Sequence, residues 1–85
     1  MDNVVVDNTS QGRFELVEQG ETAWASYHVD GSTLFIDYVF SPPALRGQGT
    51  AGRLMSGLVA AADIKALQIV PICGYAASWL RRQKR

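Results

Sequence analysis

Short β-branched and aromatic runs fill the first half of the chain, and a helical repeat fills much of the second. Residues 4–6 (VVV), 13–18 (RFELVE), 22–29 (TAWASYHV) and 33–40 (TLFIDYVF) are separated by turns at Gly12, Gly20 and Asp30-Gly31, which predicts an antiparallel meander. Asp30-Gly31 is a strong hairpin signal: a two-residue primed turn needs positive φ, which glycine takes freely and aspartate tolerates. Pro42 and Pro43 end the sheet run because neither has an N–H for a ladder. Beyond them Leu54, Met55, Leu58, Val59, Ala62 and Ala66 recur at three- and four-residue spacing, predicting a helix over about 50–66 with one buried face. LQIVP at 67–71 reads as a fifth strand, and a second helix over about 74–82 follows it. Strand, helix and strand over residues 33–71 make a parallel βαβ unit joined to the meander, so the expected fold class is α+β, in a single domain spanning 1–85.

Length and composition narrow the function. A chain of 85 residues buries little more than about 60% of its unfolded surface, so its core is small and a homodimer would add stability. No apolar run approaches the roughly 18 residues of a membrane span, and the acidic start MDNVVVDNTS does not resemble a signal peptide, so the expectation is a cytoplasmic chain with no membrane association. One cysteine and one histidine assemble neither a disulfide nor a recognisable zinc site, so no metal is expected. The zero net charge conceals a division: residues 1–40 hold seven acids against Arg13, and residues 41–85 hold seven bases against Asp63. Two accounts fit. The halves attract each other across ordinary solvated faces, or they receive an anionic ligand on one half and a cationic one on the other. A nucleic-acid partner is not expected, since such a chain is usually net basic with a continuous patch.

The segment ALRGQGTAGRL at 44–54 places three glycines and an arginine directly before the first helix. GQGTAG satisfies the dinucleotide pattern G-x-G-x-x-G, but the acidic residue required about 20 positions later falls in LQIV, where none stands. A P-loop fails as well, because Arg53 and Leu54 stand where the phosphate-gripping lysine and the magnesium-binding hydroxyl belong. The remaining pattern is Arg46-x-x-Gly49-x-Ala51, after a strand and a proline turn and at the opening of a helix. Such an opening suits a pyrophosphate, since unpaired amides and the positive end of the helix dipole coincide there.

With this loop, SPPALRGQGTAGRLMSGLVAAA resembles the fourth strand, loop and third helix of the GNAT superfamily of acetyl-CoA-dependent N-acyltransferases. LQIVPICGYAASWLRR resembles the fifth strand and fourth helix of a minimal, single-domain GNAT-like branch with a Pro-x-Cys junction. The meander matches in pattern only. The resemblance implies acetyl-CoA as the cofactor and an amine, of a small cationic metabolite or a lysine side chain, as the acceptor. It implies that the amides of Gly47, Gln48, Gly49, Thr50 and Ala51 hold the pyrophosphate, that Arg46 orders the loop, and that the backbone of Phe40 and Ser41 bonds the pantetheine arm where strands four and five splay apart. A glycine-rich turn capping a core helix is the plain structural alternative. The chain departs from the branch in lacking the first helices and closing strands of a full GNAT domain, and Tyr38, Val39 and Phe40 stand where the branch tends to carry His, Thr and Glu. A non-catalytic acyl-CoA-binding or interaction module is therefore the alternative function.

The catalytic candidate is Cys73. It follows LQIVP and precedes the helix starting near Gly74, where helical N–H groups favour a thiolate, and the resemblance puts this junction beside the thioester. Cys73 is read as the acid for the departing sulfur or as a nucleophile carrying the acetyl group, against a buried structural thiol. The tyrosine that many GNAT members use as the acid has no secure counterpart: Trp79 and Leu80 occupy the nearest positions, and Tyr75 is the fallback. His28 is read as structural, Asp37 as a base only if its face of the strand allows, and Arg81 and Arg82 as a basic last helical turn that could also reach cofactor phosphates.

Overall fold

In RFELVE, Phe14 and Leu16 share one face of the strand with Glu18, and the same two-residue alternation buries Ala23 and Ala25 in the third strand and Leu34 and Ile36 in the fourth. The computed structural model describes residues 4–83; Asp2, Lys84 and Arg85, which enter the charge division, lie outside them. Five strands form one sheet in sequence order: β1 (Val6–Asn8), β2 (Arg13–Glu18), β3 (Glu21–Asp30), β4 (Thr33–Phe40) and β5 (Gln68–Pro71). The first four are antiparallel, and β5 lies parallel to β4 after the crossover helix α1 (Thr50–Ile64). Helix α2 (Gly74–Arg82) follows β5. The protein is thus α+β, a mixed sheet with two helices.

Phe14, Leu16, Ala23, Ala25, Leu34 and Ile36 meet Leu54, Met55 and Leu58 of α1 and Ala76 of α2 in one apolar cluster. Both helices therefore cover the same face. Ala23 and Ala25, fully buried on the central strand, let α1 come close to the sheet. The opposite face carries Trp24, Ser26 and His28 of β3 with their neighbours on β4, and neither helix among the described residues covers it. A β-bulge interrupts the β3–β4 ladder: Tyr27 pairs with Ile36 and Ser26 with Tyr38, leaving Asp37 as the extra residue. The bulge settles the orientation of Asp37. Its carboxylate joins His28 on the helix-free face, and Tyr38, packed on Trp24, follows on that face too.

Three sequence expectations shift. The first strand is Val6–Asn8 rather than 4–6, because pairing starts opposite Glu15 and Val5 instead packs on α1 against Gly57, where a Cβ would overlap its side chain. In the β3–β4 hairpin Asp30 pairs with Thr33, so the two turn residues are Gly31, at φ +62, and Ser32 rather than Asp30-Gly31. Helix α1 ends at Ile64, and Ala66 is not on its buried face. Leu67 N donates to Ala62 O at 2.9 Å and Ala66 N to Asp63 O at 3.1 Å, which reverses the chain and drives Ala66 to φ +57. An alanine in that region carries a Cβ penalty of about 1 kcal/mol that glycine avoids. Ala66→Gly should raise the melting midpoint by roughly 4–8 °C; an unchanged or lowered midpoint in thermal denaturation would contradict this account of the helix end.

Candidate functional site

Strands β4 and β5 stay together only from Thr33 opposite Gln68 to Ile36 opposite Pro71. The Ile36 carbonyl then accepts from both Ile72 N, at 2.9 Å, and Cys73 N, at 3.1 Å, and the chain turns away into α2. Beyond that point β4 runs on through residues 37–40 without β5 beside it. The resulting gap is a cavity of about 370 Å³. Its walls are Tyr38, Val39 and Phe40 of β4 with Ser41 just after it, Leu45, Arg46, Gly47 and Gly49 of the loop, Thr50, Ala51 and Gly52 of the first turn of α1, and Tyr75 of α2. Seven of the eight residues expected at a cofactor site from sequence are therefore brought together here: Phe40, Ser41, Arg46, Gly47, Gly49, Thr50 and Ala51.

Gln48 is not in the wall. Its side-chain amide donates to Ala44 O at 2.9 Å and accepts from Gln19 Nε2 at 2.7 Å, so it braces the outside of the loop. Arg46 Nε donates to Ser41 O at 3.0 Å and joins the loop to the end of β4. Leu45 is buried beneath, at the end of a short 3₁₀ turn, Pro43–Leu45. Gly49 caps α1 at φ +81, a conformation that side chains resist, and the first bond of the helix runs from Arg53 N to Gly49 O at 3.0 Å. The amides of Thr50, Ala51 and Gly52 precede that bond and open the helix toward the cavity. Ser41 Oγ, also in the wall, is buried without a hydrogen-bond partner among the described residues.

The strongest polar contact at the site involves two residues that the motif reading left out. Glu18, 6% exposed at the end of β2, accepts from Arg53 Nε at 2.7 Å, Arg53 Nη2 at 2.8 Å and Thr50 Oγ1 at 2.6 Å. Arg53 Nη2 also donates to Gln48 O at 3.0 Å, so one guanidinium ties sheet, helix and loop together. Hydrogen bonds from Arg53 and then Thr50 hold the Glu18 carboxyl down at about 2, outweighing the opposing effect of burial. The signal was present in sequence: Glu18 shares strand parity with Phe14 and Leu16, and an acid on an inward face demands a partner. With Asp7–Lys65 at 3.4 Å, this pair joins the acidic half of the chain to the basic half.

The thiol of Cys73 is half-buried against the core at the N-cap of α2 and is not part of the cavity wall. Tyr75, two residues on, is, and burial raises its phenol above the usual range. Trp79 and Leu80 pack on the core from α2. Arg81 bonds Ser78 Oγ at 3.2 Å, and neither it nor Arg82 lines the cavity. His28 Nδ1 lies 2.9 Å from Asp37 Oδ2, a partner invisible in sequence.

A strand pair that splays beside a glycine-rich helix opening is the arrangement that the GNAT resemblance led us to expect. Residues 13–85 match the family model described as GCN5-related N-acetyl-transferase, and the chain belongs to that family. No curated protein matches it. No helix among the described residues is long and apolar enough to cross a membrane.

The Glu18 lock has a defined pH dependence. A carboxyl lowered from its ordinary 4.5 to about 2 by folding stabilises the native state above pH 4.5, and that contribution fades as pH falls through about 2. Glu18→Gln should therefore melt below the parent protein at pH 7, with the gap narrowing between pH 4.5 and 2. A gap of constant size across that range in thermal melts would show that the lost carboxylate charge is not the cause.

Proposed function

We propose that the chain binds acetyl-CoA in the splay between β4 and β5 and transfers the acetyl group to an amine. The observation that carries this reading is the convergence, on one cavity, of the α1 opening, the Arg46-braced loop and the unpartnered Ser41 hydroxyl. These residues fit the cofactor. The helix-opening amides and the dipole behind them suit a pyrophosphate, and the unpaired edge of β4 with Ser41 Oγ offers hydrogen bonds to an amide-containing arm. When bound, acetyl-CoA supplies an activated acyl group on a sulfur leaving group. Tyr75 stands in the wall with its phenol held protonated and provides the proton for the departing sulfur. Cys73, just outside the wall, is the alternative: an acid reaching the same sulfur, or a nucleophile carrying the acetyl group as its own thioester. No carboxylate or imidazole lines the cavity among the described residues, which is the observation favouring a second reading, a non-catalytic acyl-CoA-binding module.

Coenzyme A at 100 times its dissociation constant should stabilise the chain by about 2.7 kcal/mol, a rise in melting temperature on the order of 10 °C for a domain of this size. NAD and ATP should do less. Gly49→Val should abolish the response, because a branched side chain at φ +81 is strained and its Cβ would stand 3.1 Å from Arg53 Nη1; the melt without ligand records how much of the loss is the fold's own. Equal responses to all three ligands, or none to coenzyme A, would remove the cofactor reading.

Tyr75→Phe should lower turnover while keeping the coenzyme A melting shift, and Cys73→Ala should keep both. An adduct of about 42 Da on Cys73 after brief exposure to acetyl-CoA, located by peptide mapping, would instead make the thiol the acetyl carrier. Binding without coenzyme A release across a broad amine screen would favour the module.

A further inference from the structure

Aromatic rings close the end of the cavity that lies away from the glycine loop. Arg46 joins Ser41 to the loop, so Tyr38, further back along β4, stands at the other end. Cys73 N donates to Ile36 O at 3.1 Å, which starts α2 at that same end and brings Tyr75 into the wall there. Tyr38 and Phe40 pack in turn on Trp24 of β3, at ring separations of 5.7 and 5.4 Å, so the rings continue from the wall onto the helix-free face. Tyr38 is 53% exposed, which leaves its ring open to a ligand. The wall side chains at this end, Tyr38, Val39, Phe40 and Tyr75, are apolar or phenolic. Burial raises the Tyr75 phenol above its usual range, which suits it to give a proton and not to take one. Titratable groups on the helix-free face are taken up in pairs, Arg13 with Glu15 at 2.6 Å and His28 with Asp37 at 2.9 Å, and none of these four lines the cavity.

We propose that the acceptor is an aromatic amine, its nitrogen bonded directly to a ring, which enters as the neutral molecule and stacks on Tyr38 and Trp24. The inference rests on the acetyl-transfer reading and names the acceptor class for it. A ring-bound nitrogen shares its lone pair with the ring, so it is unprotonated at neutral pH and needs no group to take a proton before it reacts. An alkylamine arrives as an ammonium ion. At this end of the cavity it loses water with no carboxylate to replace it, and contact with the rings returns only part of that loss. Offset stacking on Tyr38 and Trp24 favours a flat acceptor instead. The nitrogen lone pair attacks the thioester carbonyl carbon, the C–N bond forms, the C–S bond breaks, and Tyr75 gives its proton to the departing sulfur. Tyr75 regains a proton from the acylated nitrogen through solvent. The products are the neutral anilide and free coenzyme A, with no proton left over.

The isomers p-toluidine and benzylamine differ in whether the nitrogen sits on the ring, and with the full chain they separate the two cases. At pH 7, kcat/KM for coenzyme A release from acetyl-CoA should be at least about 10-fold higher with p-toluidine, and that rate should stay level from about pH 6.5 to 8.5 because no group has to accept a proton first. With saturating coenzyme A, p-toluidine should shift the Trp24 indole N–H in ¹H–¹⁵N spectra and leave that of Trp79, which packs on the core from α2, in place. Tyr38→Leu and Trp24→Leu should each raise KM for p-toluidine about 10-fold, change kcat less, and keep the coenzyme A melting shift. An unmoved Trp24 signal, a p-toluidine rate that falls through a titration in that pH range, or faster release with benzylamine would overturn the acceptor proposal. Release with no amine while the melting shift persists would end the transfer reading and this inference with it, whereas loss of the shift in the parent protein would be a failure of the cofactor reading.

Discussion

A single buried carboxylate, Glu18, holds the working end of the molecule in shape. It ends β2 on the inward face, where solvent cannot satisfy it, and three short bonds from Arg53 and Thr50 replace the lost water. Because Thr50 opens α1 and Arg53 also grips the Gln48 carbonyl, the position of the glycine loop follows from the position of β2. Loops of this composition have little apolar surface with which to fix themselves. Here rigidity comes from a charge that cannot be left unpaired, reinforced outside by Gln19 on Gln48 and at the near end by Arg46 on Ser41.

The sheet provides the other half of the site by failing to stay paired. Four residue pairs join β4 to β5, and the double use of the Ile36 carbonyl ends the ladder. Two consequences follow on β4. Its edge is left without a neighbour strand beside the loop, and the bulge at Asp37 rotates the remaining residues so that Tyr38 and Phe40 face away from the helices while Val39 packs toward the core. The far end of α1 is held differently: Asp7 accepts from Tyr27 Oη at 2.6 Å and from Lys65 Nζ at 3.4 Å. Both ends of the helix are thus fastened to the first strands, and its opening also borders the cavity.

Much of this was legible in the sequence because it rests on local rules. The run of β-branched and aromatic segments gave the meander, the three-four spacing gave the buried stripe of α1 through Leu54, Leu58 and Ala62, and the family resemblance, not a local rule, named the seven residues that share one cavity. What escaped depends on distant partners. Arg53 was judged only as the wrong residue for a P-loop, because its real partner lies 35 positions earlier. Asp37 had no assignable face, because a bulge is a mismatch between two strands and neither strand records it alone. Ala66 looked like one more helical apolar residue, since the reversal at Lys65 and Leu67 satisfies the helix end without the glycine that usually marks it. Cys73, expected beside the thioester, packs against the core outside the cavity wall, whereas Tyr75, the fallback, stands in that wall.

The molecule measures 35 × 28 × 19 Å, and its shortest dimension is that of one sheet with one layer of helices. A plate of that thickness has only one layer beside its sheet, so nothing among the described residues roofs the far face behind the gap between β4 and β5. Under the proposed acetyl transfer, selection in favour of nitrogen over water would therefore rest on intrinsic reactivity and on orientation rather than on enclosure.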